Sequence, residues 1–334
     1  MLARLETRAM VAALAPLFGK RVRPDEPLAR HGTFGVGGPA DAFVTIERED
    51  EALALARLAR EHGWPLMLVG NGTNVLYADA GARGIVARMA IADWSLEPLD
   101  DERTRLVAGA GVNLPKLVNA LAARGLAGLE WGAGVPGTVG GAVVSNAGAG
   151  GACTGDTLES ARALFATAPA GPRVDELAAS ELELAYRHSR FRAARRVTFG
   201  ADGAPVAAPR AAIEPPEMIV GASFVLRKDD PEAIRKRVKQ HLAYRKETQP
   251  TQKSAGSVFK NPPDDYSGRL IEAAGLRGHC YGQAEISAKH ANFIINNGGA
   301  TAAEIVHLIA LARRRVRERF GVELELEVEL RGEW

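Results

Sequence analysis

Pro65-Leu-Met-Leu-Val-Gly-Asn-Gly-Thr-Asn74 joins a short apolar run directly to a turn that contains two glycines. An apolar run that ends in glycine is typical of a buried strand. Residues 104–108 repeat the pattern and end in Gly109-Ala-Gly111, and the spacing after them predicts a helix over 114–124. A further helix is predicted over 49–62. Strands and helices mix without a regular βαβ alternation, so the sequence predicts an α+β fold.

A second glycine-rich stretch, Gly132-Ala-Gly-Val-Pro-Gly-Thr-Val-Gly-Gly-Ala-Val-Val-Ser-Asn-Ala-Gly148, matches the G-x-G-x-x-G dinucleotide fingerprint over 132–137. That fingerprint requires a loop that opens a helix. Here a proline precedes the third glycine, and the small residues after it favour a strand, so we do not assign a Rossmann site. Gly109-Ala-Gly111 has the strand–loop–helix context but lacks the third glycine.

The three loops at 70–74, 109–111 and 132–148 share small residues and backbone N–H groups, which let the backbone approach a phosphate closely. A single loop of this kind is more often an ordinary tight turn. Three of them in the first half of one chain favour a cofactor that contains a diphosphate.

Composition limits the classes of protein to consider. The chain has 334 residues, 46% of them hydrophobic and 25% charged, and a formal net charge of +2. These values are typical of a globular chain with two or three modest domains, and they do not indicate a polyanionic partner. The basic run Arg313-Arg-Arg-Val-Arg-Glu-Arg319 includes an acid and no aromatic residues, which is typical of a solvated helix face. No nucleic-acid partner is expected.

Three features that the sequence lacks bear on the cellular setting: a disulfide framework, a signal peptide and a membrane-spanning stretch. Cys153 and Cys280 are too few for a disulfide framework and fit a reducing cytoplasm. Residues 2–18 have signal-peptide length, but Glu6, Pro16 and the lack of a small-residue cleavage site favour an amphipathic helix. No uncharged apolar stretch is long enough to span a membrane. We expect a cytoplasmic protein without membrane insertion and without a metal site, and no pattern indicates its oligomeric state.

The second half of the chain carries clear helix and strand signals. Asp230-Pro-Glu opens a predicted helix, with proline at its first position and an acid near its N-terminal dipole. Thr301-Ala-Ala-Glu304 is a capping box for a helix that extends to residue 320. Residues 218–226 predict a strand, and residues 192–216, rich in Ala, Arg, Gly and Pro, predict a surface insertion. The alternation of 322–330 predicts a last strand with four glutamates on one face, for which exposure to solvent is the default.

Two further stretches carry side chains suited to catalysis, Ser254-Ala-Gly-Ser-Val-Phe-Lys-Asn-Pro262 and Ala185-Tyr-Arg-His-Ser-Arg-Phe191. Alone, a serine in a Gly/Pro-rich loop more often bonds to nearby backbone, and an arginine is as often an ordinary surface residue. Together with the 132–148 run, however, they resemble the UDP-N-acetylenolpyruvoylglucosamine reductase family over residues 33–332. Lys289-His-Ala-Asn-Phe-Ile-Ile-Asn296 is similar to its second subtype, which lacks the tyrosine-bearing loop that closes over substrate in the first.

The resemblance implies a vanillyl-alcohol-oxidase-type FAD-binding domain followed by a smaller α+β C-terminal substrate domain. The FAD-binding region would cover 1–228, with one subdomain over about 1–90 and a second over 91–228 that contains the 192–216 insertion. The substrate domain would cover 229–334, and its last strand, 322–330, would return to the active site.

The resemblance also implies noncovalent FAD, because relatives that attach the flavin covalently use a histidine or cysteine in such loops and 70–74 contains neither. NADPH is the expected electron donor. The residues expected to bind FAD are Val69, Gly70, Asn71, Gly72, Thr73, Asn74, Val75, Gly134, Val135, Pro136, Gly137, Gly140, Gly141, Asn146, Ala147 and Gly148.

The implied reaction reduces the enolpyruvyl group of UDP-N-acetylglucosamine enolpyruvate to give UDP-N-acetylmuramate for peptidoglycan synthesis. Hydride addition to the terminal carbon leaves negative charge beside a carboxylate, so the site needs a cation for the carboxylate and a proton source. The resemblance implies that Arg187 binds the substrate carboxylate, that Ser257 donates the proton and that Glu327 acts as a second acid. It places Tyr186, Lys260, Asn261 and His290 on the substrate side.

Period-two alternation alone does not choose among Glu325, Glu327 and Glu329. The family's glutamate–valine pair falls most simply on Glu327-Val328, although Leu326 stands where many members have proline.

Other functions are compatible with the same fold, because a fold does not fix a reaction. One is an FAD-dependent oxidase or dehydrogenase of a hydroxy acid or alcohol, which would not need the cluster of Ser257, Lys260 and Asn261. Another is a UDP-sugar sensor without catalysis. Bleaching of a bound flavin by NADPH separates the reductase from the first, and the effect of Ser257→Ala separates it from the second.

Overall fold

The computed structural model describes residues 2–192, 197–199, 205–207 and 212–334. Its α-helices are α1 (Leu2–Phe18), α2 (Glu49–His62), α3 (Leu114–Ala122), α4 (Val139–Ser145), α5 (Pro231–Thr248), α6 (Ser267–Ala273) and α7 (Ala302–Phe320). The predicted helices over 2–18, 49–62 and up to 320 are confirmed, and the one predicted over 114–124 ends two residues early. Among the described residues, none of the helices has the length and apolar content to cross a bilayer.

The strands are β1 (Arg23–Pro27), β2 (Pro39–Ile46), β3 (Leu66–Val69), β4 (Val75–Tyr77), β5 (Ala82–Met89), β6 (Trp94–Pro98), β7 (Arg103–Gly109), β8 (Leu126–Ala127), β9 (Gly148–Ala149), β10 (Ala152–Cys153), β11 (Leu158–Phe165), β12 (Arg173–Ala178), β13 (Val197–Phe199), β14 (Pro205–Ala207), β15 (Ile213–Glu214), β16 (Glu217–Lys228), β17 (Cys280–Tyr281), β18 (Ala284–Ile286), β19 (Ile294–Asn296) and β20 (Glu329–Arg331). The mixture of helices and strands confirms the predicted α+β class.

Local chemistry fixes where the later helices begin, as predicted. The Asp230 carboxylate accepts hydrogen bonds from the N–H groups of Glu232 and Ala233, and Pro231 occupies the first helical position of α5. At the start of α7, the Thr301 hydroxyl and the Glu304 carboxylate bond to each other's backbone N–H groups. Both caps satisfy N–H groups that a helix cannot pair internally.

The first sheet has the strand order β1-β2-β5-β3-β15. β2, β5, β3 and β15 run parallel, and β1 is antiparallel at one edge. All four residues of β3 are buried, as the predicted apolar strand requires. Leu14 of α1 and Leu55 of α2 are fully buried in the core of this sheet. The sheet therefore presents the end of β3, and the glycine turn after it, at its carboxyl edge.

The end of the predicted 192–216 insertion belongs to this sheet. Ile213 and Glu214 are 2% and 4% exposed, and β15 pairs in parallel with β3 at Leu66 and Met67. The prediction of a surface insertion is therefore wrong for Ile213 and Glu214, because a two-residue strand carries too few residues for a periodic signal. Residues 193–196, 200–204 and 208–211 of that stretch lie outside the described residues.

The second sheet has the order β12-β11-β16-β7-β6, with β8 also paired to β16, and all of its pairs are antiparallel. β16 is longer than the predicted 218–226 strand, and it pairs with β11, β7 and β8. Residues of both sheets, with α1 to α4, share one continuous apolar core.

A separate apolar core fills the C-terminal part of the chain, where α6 and α7 pack with the small sheet β17-β18-β19. Helix α5 belongs instead to the first core, because its buried residues Ile234 and Val238 lie there. The second core therefore begins after α5 in the second half of the chain, and the predicted domain boundary at 229 stays a prediction.

The alternating tail departs from the predicted strand over 322–330. A single bridge joins Leu326 to Phe259, and the regular strand is limited to β20, which pairs in parallel with β4. Glu323 and Glu325 are exposed as expected, with side chains 58% and 73% accessible, whereas Glu327 and Glu329 are 17% and 28% accessible. Glu327 and Glu329 are shielded because their segment contacts the first half of the chain. The alternation of the sequence could not distinguish them from the exposed Glu323 and Glu325.

A buried ion pair under the first sheet gives a stability prediction. The Glu51 carboxylate, 2% exposed, accepts hydrogen bonds from both terminal nitrogens of Arg21 at 2.8 and 2.7 Å and from the Glu47 N–H at 2.9 Å. The Arg21 hydrogen bonds lower the pKa of Glu51 to about 2, although burial opposes them. Since the unfolded carboxyl has a pKa of about 4.3, the stabilisation is complete above that pH and is lost as the pH falls towards 2.

We expect Glu51→Gln to lower the free energy of unfolding by about 2 kcal/mol at pH 7. In urea titrations, the difference from the parent protein should shrink as the pH falls below about 4. The neighbouring Asp50, 71% exposed, is the matched control, and Asp50→Asn should leave the stability nearly unchanged. A Glu51→Gln deficit that is constant with pH would contradict the assignment.

Candidate active site

A cavity of about 300 Å³ lies where the two sheets meet the C-terminal core. The β3–β4 loop, the segment before and within α4, the start of β16, the end of α5 and the chain tail all contribute to its lining. The predicted residues that line it are Val69, Gly70, Asn71, Gly72, Thr73, Asn74, Val75, Val135, Pro136, Gly137, Gly140, Gly141, Ala147, Gly148, Arg187, Ser257 and Glu327. The structure thus brings the cofactor loops and the three predicted catalytic residues to one space.

The β3–β4 loop requires glycine at one position for a physical reason. Gly72 has a φ of +62°, and a Cβ there would lie 2.0 Å from the backbone oxygen of His31. The Gly72 oxygen in turn accepts the Thr33 N–H at 3.1 Å. Close backbone packing on one side leaves the other side of the loop facing the cavity.

The same loop contacts the chain tail through Asn74. The side-chain Nδ2 of Asn74 donates to the backbone oxygen of Glu327 at 2.8 Å. The backbone oxygen of Asn74 accepts the Glu329 N–H at 2.9 Å. Two hydrogen bonds therefore connect the cofactor loop to the backbone on either side of Val328.

The expectation that a strand follows Gly137 is wrong. Residues 139–145 form α4, and the Thr138 hydroxyl caps it by accepting the Gly141 N–H at 3.3 Å. Glycine and valine are poor helix formers, but α4 packs against β16 and β7 of the second sheet, and burial of its apolar residues outweighs propensity. The dinucleotide fingerprint is still incomplete, because a 3₁₀ turn over Glu130–Gly134, and not a strand, precedes the loop.

Two of the predicted cofactor residues are absent from the lining of the cavity. Gly134 packs against Arg245, whose Cδ would lie 3.3 Å from an added Cβ. Asn146 is 6% exposed and points away from the cavity: its Oδ1 accepts the Gly155 N–H and its Nδ2 donates to the Ala185 oxygen, both at 2.9 Å. Asn146 therefore supports the turn that carries Arg187.

Arg187 sits in a tight turn with an uncommon backbone conformation. Ala185 and His188 pair through both backbone hydrogen bonds, and Arg187 has a φ of +52°. The neighbouring Ser189 is fully buried, and its hydroxyl donates to the Val144 oxygen at 2.6 Å. A left-handed conformation at a non-glycine residue costs about 1–2 kcal/mol and persists only where surrounding contacts hold it. These contacts direct the guanidinium into the cavity.

The guanidinium of Arg187 makes two polar contacts in the cavity wall. Its Nε donates to Oε1 of Glu327 at 3.0 Å, and its Nη2 donates to the Gly148 oxygen at 2.9 Å. The two side chains are only 22% and 17% exposed. A cation and a carboxylate, each shielded from bulk water, therefore lie side by side at the cavity.

The three candidate glutamates differ in their surroundings. Glu325 is exposed and pairs with Lys260 at 2.7 Å. For Glu329, burial acts to raise the pKa, but Arg331 and Arg192 outweigh it and hold the pKa below its usual value. For Glu327, burial raises the pKa, and the charges of Arg187, Arg192 and Lys260 offset this only in part. Of the two shielded glutamates, Glu327 is the one whose pKa is raised.

Ser257 reaches the cavity from a loop of the C-terminal core. The residue after it, Val258, is fully buried, and its carbonyl accepts the Glu327 N–H at 2.8 Å. The loop and the tail are further joined by the Phe259–Leu326 bridge. Ser257 and Glu327 are therefore carried by two hydrogen-bonded segments.

A second, more open cavity of about 710 Å³ is lined by Tyr186, Lys260 and Asn261, three of the four predicted substrate residues. The Asn261 N–H faces the Tyr186 hydroxyl at 3.4 Å. His290, the fourth, lines neither of the two cavities described here. Its Nδ1 accepts the Asn292 N–H at 3.2 Å, and burial lowers its pKa. The geometry of the described residues gives no support to a substrate contact by His290.

Several cavity residues were not predicted from the sequence. Arg245 and Gln249 enter from the end of α5, and Phe293 enters from the segment before β19. Burial lowers the pKa of Arg245, and Oε1 of Gln249 is buried without a hydrogen-bond partner among the described residues. Helical periodicity alone could not show that the last turn of α5 meets the glycine loops.

Comparison with known proteins identifies both parts of the chain. Residues 40–168 match a family model described as FAD binding domain, and residues 249–331 match one described as UDP-N-acetylenolpyruvoylglucosamine reductase, C-terminal domain. The second match begins where the first core ends. The predicted combination of an FAD-binding domain and a C-terminal domain is confirmed.

Full-length relatives agree with these matches. The UDP-N-acetylenolpyruvoylglucosamine reductase of Rubrobacter xylanophilus is 42% identical over 309 residues, which are 92% of this chain and 95% of that protein. The enzyme of that name from Chloroflexus aggregans is 42% identical over 307 residues, 92% and 96% of the two chains. The crystal structure of the UDP-N-acetylenolpyruvylglucosamine reductase from Thermus caldophilus superposes with a TM-score of 0.71 at 34% identity and covers 93% and 98%. With such identity along nearly its whole length, the chain belongs to the UDP-N-acetylenolpyruvoylglucosamine reductase family.

Proposed function

We propose that this chain uses bound FAD and NADPH to reduce the enolpyruvyl group of UDP-N-acetylglucosamine enolpyruvate, and so makes UDP-N-acetylmuramate for peptidoglycan in the cytoplasm. One observation carries the proposal: the Arg187–Glu327 pair and Ser257 line the same cavity as the glycine loops. Family membership supports the reaction, and the absence of a membrane-spanning helix among the described residues is consistent with the location.

The residues of the cavity fit FAD. An added Cβ at Gly70 or Gly141 would have only the Thr138 hydroxyl within 4 Å, at 3.6 and 3.7 Å, so both glycines leave space towards the cavity. The buried Oε1 of Gln249 supplies an acceptor without a partner in the described chain. The lining residues include neither histidine nor cysteine, which supports noncovalent binding. Bound FAD would supply the two-electron transfer from the nicotinamide donor to the enolpyruvyl double bond.

Arg187 is suited to hold the substrate carboxylate. Its guanidinium is already oriented by the Gly148 oxygen and the Glu327 carboxylate, and a fixed guanidinium can give a carboxylate two parallel hydrogen bonds. Because the side chain is mostly shielded from water, its attraction for the charge that develops beside that carboxylate is stronger than at an exposed site.

Ser257 and Glu327 are suited to manage the proton. A hydroxyl is a weak acid, but the carbon that receives the proton is a strong base, so a positioned serine can serve as the donor. The raised pKa of Glu327 keeps this carboxyl protonated at higher pH than an ordinary glutamate, which lets it neutralise charge on the substrate carboxylate.

The second cavity is suited to the UDP end of the substrate. Tyr186, the residue before Arg187, lines it, and Lys260 offers a cation with a side chain 15% exposed. Glu325 occupies that cation at 2.7 Å, so a diphosphate would compete with a carboxylate that is itself 73% exposed. Exposed pairs of this kind contribute little, so the exchange costs little.

The cofactor assignment predicts a graded loss of FAD binding on filling the cavity. Gly141→Val places a branched side chain into open space, so the fold should survive while overpacking against the cofactor costs about 1–3 kcal/mol, or roughly 5- to 150-fold in Kd. Flavin fluorescence titration measures the affinity, and the thermal midpoint of the apoprotein serves as the control. Gly141→Ala should have an intermediate effect, and unchanged affinity in both variants would exclude this cavity as the flavin site.

The proton-donor assignment predicts a defect in one half-reaction. Ser257→Ala should slow reoxidation of the reduced enzyme by the enolpyruvyl substrate by roughly 10²–10⁴-fold. Reduction of the flavin by NADPH should keep its rate, because that step needs no proton from Ser257. Stopped-flow absorbance separates the two steps. Ser254→Ala, in the same loop but absent from the cavity lining, is the matched control, and full-speed reoxidation in Ser257→Ala would rule the assignment out.

The assignment of Glu327 as an acid predicts a pH dependence. Since burial raises the pKa of Glu327, the reoxidation rate should fall as the pH rises through that pKa and the carboxyl loses its proton. Glu327→Gln keeps an acceptor for Arg187 but should be about 10²-fold slower and lack this limb. Glu325→Gln should retain the limb. A pH profile that Glu327→Gln leaves unchanged and Glu325→Gln alters would move the role to Glu325.

A further inference from the structure

A buried amide that the proposed reaction does not use holds the segment after Ser257. Asn292 is 3% exposed; its Oδ1 accepts the Phe259 N–H at 3.0 Å, and its Nδ2 donates to the Phe259 oxygen at 2.8 Å. One side chain thus satisfies both backbone groups of one residue, as a neighbouring strand would. The Asn292 backbone oxygen also accepts the Val258 N–H at 2.8 Å.

The two residues that Asn292 holds also determine where Glu327 lies. The Val258 oxygen accepts the N–H groups of Glu327 at 2.8 Å and Val328 at 3.3 Å, and Phe259 bridges to Leu326. Ser257 directly precedes Val258 in the chain. A displacement of 258–259 would therefore move the proton donor and the acid together.

His290 fixes Asn292 from its other side. The Asn292 N–H donates to Nδ1 of His290 at 3.2 Å, which requires that this nitrogen carry no proton. The His290 ring also packs against Phe293, with ring centroids 4.9 Å apart, and Phe293 lines the cavity. His290 and Asn292 therefore form connected hydrogen bonds that lead to Phe259.

We propose that Asn292 is a positioning residue that sets the location of both Ser257 and Glu327 relative to the cavity and does not itself touch substrate. It is absent from the lining of both cavities described above, so its influence passes through the 258–259 backbone. The inference rests on the proposed function, because it acts through two residues assigned roles there. A misplacement of about 1 Å in a catalytic group can cost roughly 10²-fold in rate.

A neighbouring residue offers a matched control for simple destabilisation. Asn296 is also buried, at 6% exposure; its Nδ2 donates to the Phe34 oxygen at 2.9 Å, and its Oδ1 accepts the N–H groups of Gly298 and Ala300 at 2.8 and 3.0 Å. Its side chain makes no hydrogen bond to the loop that carries Ser257 in the described residues. Loss of either amide should weaken the fold, but only loss of Asn292 should act on the reaction.

The first test compares Asn292→Ala with Asn296→Ala in the FAD-loaded enzyme by stopped-flow absorbance. For Asn292→Ala we expect reoxidation by UDP-N-acetylglucosamine enolpyruvate to slow by roughly 10–100-fold, while flavin reduction by NADPH stays within about twofold. For Asn296→Ala we expect both rates to stay near those of the parent. Equal slowing of both half-reactions in Asn292→Ala, or slowing of neither, would overturn the inference.

Asn292→Asp provides a test that does not depend on the alanine variant folding. A protonated carboxylic acid offers the same donor and acceptor as the amide, whereas a carboxylate offers acceptors only. The reoxidation rate of Asn292→Asp relative to the parent should therefore rise several-fold as the pH is lowered from about 8 to about 6, because burial raises the pKa of an introduced acid. A ratio that does not change with pH contradicts the inference. If the parent enzyme itself fails to turn over this substrate, the proposed function fails instead.

Discussion

The three residues of β20, Glu329–Arg331, form a parallel strand beside β4, and the site depends on this pairing. Without it, Glu327 would belong to a tail that extends from the C-terminal core with no fixed relation to the glycine loops. Asn74 reinforces the pairing with one hydrogen bond on each side of Val328. A few backbone bonds between segments some 250 residues apart therefore bring an acid from the end of the chain to an arginine from its middle.

The pairing also explains the electrostatics of the site. Arg187 comes from a turn of the first half of the chain and Glu327 from the tail, and where the two segments meet their side chains are only 22% and 17% exposed. The burial that raises the pKa of Glu327 would be unfavourable for an isolated carboxylate. Arg187, held in a left-handed turn by Asn146 and the buried hydroxyl of Ser189, offsets part of that cost. The geometry of the pair thus rests on contacts that do not themselves face the cavity.

Local chemistry made much of the fold predictable. The caps at Asp230 and Thr301, the buried run of β3 and the glycine turn after it all act within a few residues, and each is where the sequence predicted it. Long-range packing decided what was missed. α4 forms from residues with strand preference because it packs on β16 and β7, and the Asn146 side chain bonds to Ala185 and Gly155 instead of lining the cavity. The register of Glu327 likewise depends on Val258 and Asn74, which the alternation of the tail could not reveal.

The position of β20 in the chain has a consequence for biosynthesis. The parallel strands β2, β5 and β3 and the glycine loops are made early, so the ribosome releases a region that can begin to fold while the C-terminal core is still being translated. Glu327 and β20 are synthesised after every other element described. β20 then pairs with β4, which is made early. A nascent chain arrested before β20 would contain the glycine loops but would lack the β20–β4 pairing that fixes Glu327 beside Arg187. Synthesis order thereby separates formation of the first sheet from assembly of the Arg187–Glu327 pair.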